Sequence, residues 1–168
     1  MWSNEIKEDA LYLRYRRILK NVNPVEIESL TKEVMNLHAA REGRSLEGKN
    51  IGAITLQKAS AQNQSYRSRI TEIWAHERRL YGGLKIAIDK VQSHILMAHF
   101  DLIPRRSKGD KLNYISARFF SKGKQRLQLL EESMLICENI SIDIDKAAWA
   151  MNFQLDCLKQ LNRPEHTI

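Results

Sequence analysis

The sequence predicts an all-α protein: a long antiparallel helical hairpin, coiled-coil-like, with shorter N-terminal helices packed on it. Three observations carry this reading. Apolar residues recur at steps of three and four along two long stretches, with a polar, basic turn between them. Only three Pro and seven Gly punctuate 168 residues. Val and Thr, which favour strands, are few. Residues 1–61 read as an N-terminal helical region and 62–168 as the hairpin domain with a basic tip.

The first helix is expected over residues 4–20, where Leu11, Ile18 and Leu19 alternate with Tyr12 and Tyr15. Asn23-Pro24 starts the next, because Asn can cap orphan amides and Pro fits the first turn. That helix turns Val25, Leu30, Val34 and Leu37 inward and ends near Gly43. A loop over Gly43–Gly52 and a shorter helix, about Ile51 to Ala61, follow. From Tyr66 to Leu102 a stripe runs through Ile70, Ile73, Leu80, Leu84, Ile88, Val91, Ile95 and Ala98, with Glu77 its one polar step. Gly82-Gly83 allows a kink, and Pro104 ends the helix. After the connector Pro104 to Asp110, capped by Ser107 or Asp110, a second long helix is expected to run to about Leu161. Its stripe is Leu127, Leu130, Met134, Cys137, Ser141, Ile144, Ala148, Met151, Leu155 and Leu158, a seven-residue repeat, with a break possible near Ser141. At about 1.5 Å per residue, the hairpin arms would be on the order of 60 Å long.

The most informative segment is Arg105 to Arg126. Arg105, Arg106, Lys108, Lys111, Arg118, Lys122, Lys124 and Arg126 face a single carboxylate, Asp110, which gives the segment the +7 carried by the whole chain. Tyr114, Phe119 and Phe120 sit among these charges. Phosphates attract such cations by releasing condensed counterions, and unstacked bases lie on aromatic rings. These eleven residues are the candidate nucleic-acid-binding set. Arg14, Arg16, Arg17 and Lys20 form a smaller basic cluster. Beyond Arg126, Glu131, Glu132, Glu138, Asp143, Asp145, Asp156 and Glu165 outnumber Lys146, Lys159 and Arg163. A rod basic at one end and acidic at the other suits head-to-tail assembly or a partner contact.

Other chemistries find little support. Gly43-Arg-Ser-Leu-Glu-Gly48-Lys49 spells a phosphate-loop pattern, but a helix rather than a strand precedes it and Asn50 replaces the magnesium-binding hydroxyl. A basic interhelical loop, touching phosphate through Arg44 and Lys49, explains it better. His38, His76, His94, His99 and His166 lack metal-binding spacings, and two isolated Cys do not make a zinc knuckle. Asp143 and Asp145 point to different helix faces. No nucleophile sits on a Gly-flanked turn, so no catalytic residue, cofactor or metal is expected. Cys137 and Cys157 read as reduced thiols of an intracellular, cytoplasmic protein. No leader is visible, and no apolar run is long enough to span a membrane. Trp74, Tyr81 and Trp149 are expected in the core or in a seam between subunits.

The last hundred residues resemble the phage recombination mediators of the UvsY type. The likeness covers roughly Tyr66 to Arg163. It rests on Tyr66 opening a long helix, on Phe100 before a Gly-bearing basic turn (Arg105, Arg106, Lys108, Gly109), and on a closing run. That run is Leu127-Gln-Leu-Leu-Glu-Glu, then Asp145-Lys-Ala-Ala-Trp149, then Leu155 to Arg163. The tyrosine pair of that family is His99-Phe100 here, and the N-terminal fifty to sixty residues have no counterpart. The resemblance implies an oligomer that binds single-stranded DNA through the basic turn and helps load a recombinase. The expectation is therefore a non-catalytic accessory protein that binds single-stranded DNA or RNA within a homo-oligomer, with an acidic or recombinase-type protein as a further partner. The alternative is a structural adaptor that uses the hairpin for coiled-coil contacts.

Overall fold

The structure, a computed structural model, describes residues 2–42, 52–105 and 107–161. The described residues are helical throughout, apart from short turns. The phosphate-loop-like segment with Arg44 and Lys49, and the tail beyond Leu161, lie outside them.

The N-terminal helix is divided in two, α1 (Trp2–Glu8) and α2 (Ala10–Asn21). Asp9 causes the break: its extended backbone stops α1, and its carboxylate accepts the amides of Leu11 at 2.7 Å and Tyr12 at 3.2 Å. Burial alone would raise the pKa of Asp9; those amides, with the His94 ring 3.0 Å away, outweigh it and hold the carboxyl below its usual range.

Helix α3 (Pro24–Glu42) starts as the Asn-Pro pair predicts, with Asn23 accepting the Val25 amide at 3.1 Å. Its inward register is Ile27, Leu30, Val34 and Leu37. Val25 is out of phase with those steps and is exposed, contrary to expectation.

Helix α4 (Ala53–Ala98) absorbs the separate helix expected before Ala61. Neither Pro nor Gly occurs between Ala53 and Tyr81, and Gln62 donates to the Tyr66 hydroxyl one turn on, at 2.9 Å. The helix ends six residues before Pro104, in a 3₁₀ turn over Phe100–Leu102.

The second long helix is also interrupted. After the short connector, instead of one arm, α5 (Lys108–Phe119) and α6 (Ser121–Leu161) meet at Phe120, which leaves helical geometry at φ −121° and ψ 7°. That residue lets the adjacent rings of Phe119 and Phe120 both enter the core. No break occurs at Ser141.

Contacts group the chain into two compact units. The first comprises Met1–Ser29 and His76–Met134. Here Glu77 meets Ser133, Tyr81 meets Glu131, and Ile88 abuts Gly123, so α4 and α6 run antiparallel. The core gathers Tyr15, Leu84, Ile88, Ile95, Ile115, Phe120 and Leu130, and the Tyr15 ring sits edge-on to Phe120 at 4.9 Å. Burial pushes the Tyr15 phenol up to about 12.

The second unit comprises Leu30–Ala75 and Leu135–Ile168. Asn63 meets Met151, Arg67 meets Asp145, and Trp74 donates to Glu138, again antiparallel. Val34, Ile70, Ile73, Cys137, Ile140 and Ile144 form its core. In both units the inner face of α6 is the seven-residue stripe read from the sequence, buried or half-buried at each position from Leu127 to Leu158.

One packing detail predicts opposite outcomes for the same substitution. A Cβ on Gly123 would lie 2.6 Å from the Tyr15 hydroxyl and 3.0 Å from Ile88 Cδ1, whereas Gly82 and Gly83 have nothing within 4 Å. Gly123→Ala should destabilise, because overpacking costs about 1–3 kcal/mol and helix propensity returns at most about 1. Gly82→Ala and Gly83→Ala should each stabilise by about 0.5–1 kcal/mol. Denaturant unfolding of the three variants checks the sign.

Candidate nucleic-acid interface

The candidate residues that the structure describes all fall in the first unit, but they separate into an exposed set and a structural set. By formal charge this unit holds seventeen cations against eleven anions, so it carries +6 of the chain's +7.

Ser107 starts α5, accepting the Asp110 amide at 3.0 Å while its hydroxyl donates to the Asp110 carboxylate at 2.7 Å. This reciprocal cap occupies Asp110, the one carboxylate of the segment. Along the helix that follows, Tyr114 and Arg118 are one turn apart, and Arg118 donates to the Tyr114 hydroxyl at 3.2 Å. Arg105 approaches the same ring from the preceding turn. The two guanidinium carbons lie 5.7 Å and 5.9 Å from the Tyr114 centroid. Pro104, Arg105, Asp110, Asn113, Tyr114 and Ala117 line an open cleft of about 740 Å³ beside the ring.

Arg105, Lys108, Arg118, Lys122 and Lys124 are exposed. Among the described residues, none of these five is ion-paired with a carboxylate. Two arginines of the second unit are ion-paired. There Arg67 engages Asp145 at 3.0 Å, and Arg69 engages Glu33 at 2.7 Å, which holds the Glu33 carboxyl below its usual range.

Four members of the predicted set have structural positions instead. Phe119 and Phe120 are buried in the aromatic core with Tyr12 and Tyr15, so they offer no ring to a base. Lys111 is also buried: its ammonium donates to the Phe100 carbonyl and lies 3.5 Å from the Phe100 centroid, tying the 3₁₀ turn to α5. Arg126, half-buried, donates to the Leu19 carbonyl near the end of α2. Arg106 lies outside the described residues. Pro104 and Asn113 line the cleft and were missed by sequence reading; adjacency to Arg105 and Tyr114 was the only signal.

Among the described residues no three His, Cys, Asp or Glu side chains cluster as a metal site, and no helix is long and apolar enough to cross a membrane. Cys137 and Cys157 are free thiols, the first buried and the second half-buried. Comparison with known protein families, characterised proteins and solved structures finds no match to the chain. Fold and surface therefore define an all-α protein in which Arg105 and Arg118, without carboxylate partners among the described residues, flank Tyr114.

Proposed function

We propose that this chain is a non-catalytic accessory protein that binds the backbone of single-stranded nucleic acid through the surface around Tyr114. The observation that carries the reading is the set of five exposed cations without carboxylate partners among the described residues, gathered within Arg105–Lys124. A self-paired arginine has its donors committed; an unpaired one is available to phosphate, and phosphate contacts displace counterions. Tyr114, half-buried against the core, is flanked by Arg105 and Arg118, and guanidinium planes stack on bases as well as on rings. The contacts invoked are to phosphates and base faces, so the reading carries no sequence specificity. A role beside a recombinase, as the resemblance to mediators of the UvsY type implies, belongs to the same proposal.

Tyr114→Ala separates single strands from duplex. Stacking is worth about 1–3 kcal/mol per base, so single-strand affinity should fall roughly 5- to 150-fold. Duplex affinity, which depends on phosphates alone, should change little. Fluorescence anisotropy with matched labelled oligonucleotides measures both. Equal losses on the two substrates would show that Tyr114 does not stack on bases.

A further inference from the structure

We propose that the outward face of α2 is a second phosphate-binding segment, which holds a further stretch of the same single strand that the Tyr114 cleft takes. The inference rests on the nucleic-acid reading and extends it to N-terminal residues outside the predicted set. Helix α2 carries Arg14, Arg16, Arg17 and Lys20 and no carboxylate. All four are exposed, and none is ion-paired with a carboxylate among the described residues. Tyr15 is buried, and Tyr12, Ile18 and Leu19 pack on the core, so the inward side of the helix is fixed. On the opposite side Leu13, Arg16, Arg17 and Lys20, neighbours at helical spacing, line an open hollow of about 250 Å³.

The packing of α2 joins this face to the cleft. Tyr12 meets Phe119 with ring centroids 5.9 Å apart, Tyr15 meets Phe120 at 4.9 Å and lies against Gly123, and Leu19 accepts from Arg126. The contacts advance together on both segments, so α2 runs beside residues 119–126 in the same direction. Arg14 and Arg16 flank Tyr15, and Lys122 and Lys124 flank Gly123, so exposed cations of both helices border the seam. Arg118, which flanks Tyr114, immediately precedes the first of these contacts. No carboxylate occurs between Asp110 and Glu131, and α2 has none, so the two segments repel each other's charge. A phosphate backbone relieves that repulsion and displaces its own counterions in doing so. A bilayer suits the face less well, because a surface-bound helix inserts a free apolar side. That side of α2 is buried in the core, which leaves Leu11 and Leu13 at 38% and 40% exposure.

The test is Arg16→Gln/Arg17→Gln/Lys20→Gln in the full chain, with labelled oligothymidylate titrated at a series of salt concentrations. The three residues are exposed, so helicity and melting temperature should hold. The slope of log affinity against log salt should become shallower by about 2, or roughly 0.7 for each lost phosphate contact. Arg16→Lys/Arg17→Lys keeps the charge and should keep the wild-type slope. Wild-type binding with an unchanged slope in the Gln variant would overturn the inference and leave the Tyr114 reading standing. A wild type that binds no oligonucleotide would overturn both. Vesicles of phosphatidylserine and phosphatidylcholine form the second arm, and the wild type and the Gln variant should treat them alike. Vesicle binding that the Gln variant loses, beside an unchanged oligonucleotide slope, would assign the face to lipid and overturn the proposal.

Discussion

Phe120→Ala is expected to lower the unfolding free energy by about 3–5 kcal/mol, the usual cost of emptying a buried aromatic site. Phe120 is fully buried and packs edge-on against Tyr15 at 4.9 Å and Tyr12 at 6.2 Å. It also forms the joint between α5 and α6, so its ring ties three helices together. A domain holds only about 5–15 kcal/mol in total, so the loss would threaten folding at body temperature. Phe120→Leu, which keeps part of the volume, should cost less. Denaturant melts followed by circular dichroism check both. Because Phe120 is held as a core residue, Phe120→Leu should leave nucleic-acid affinity unchanged once the protein is folded.

The second large effect is on pH. Glu77 is fully buried on α4, one carboxyl oxygen accepting from Ser133 at 2.7 Å and the other without a hydrogen-bond partner. Desolvation pushes its pKa up, and the Ser133 bond only partly opposes that. The sign then follows from proton linkage. The folded state keeps the proton to higher pH than the unfolded chain, so the stability Glu77 lends is complete below the unfolded carboxylate pKa. It is lost as pH rises through the raised folded value, at about 1.36 kcal/mol for each pH unit separating the folded and unfolded values. Glu77→Gln keeps an acceptor for Ser133 and cannot ionise. Its stability should therefore overtake the wild type as pH rises and show a flatter dependence from mildly acidic to neutral pH. Parallel slopes for the two proteins would mean that Glu77 is not the titrating group.

Glu77 also illustrates how much of the fold could be read in advance. Its place in the α4 stripe was visible from spacing alone, because a helix buries one residue in every three or four whatever their chemistry. The α6 stripe from Leu127 to Leu158 was legible for the same reason. The junction at Phe120 was not: two adjacent Phe residues fit a continuous helix on paper, and only the packing of both rings against Tyr12 and Tyr15 makes the turn worthwhile. The α1–α2 break had a local signal, Asp9 two residues before an apolar position, which a search for N-caps would have found.

The candidate site was legible as a charge run but not as a surface. Sequence places Lys111 among seven other cations; the fold withdraws it to a carbonyl and a ring. Charge counting cannot separate Arg105 and Arg118, which flank Tyr114, from Arg126, which holds the end of α2. Trp149 is exposed and so lies outside the core: Leu135, Ile142 and Trp149 repeat with the same period as the inner face of α6, one residue later.

The central claim is that the unpaired cations beside Tyr114 neutralise phosphates. It is tested most directly by titrating a labelled single strand at a series of salt concentrations, with the wild type and with Arg105→Ala/Arg118→Ala. The wild type should weaken steeply as salt rises, and the double variant should show a slope shallower by about 1.4, or roughly 0.7 for each lost phosphate contact. Identical slopes, or a wild type that does not bind at low salt, would contradict the account.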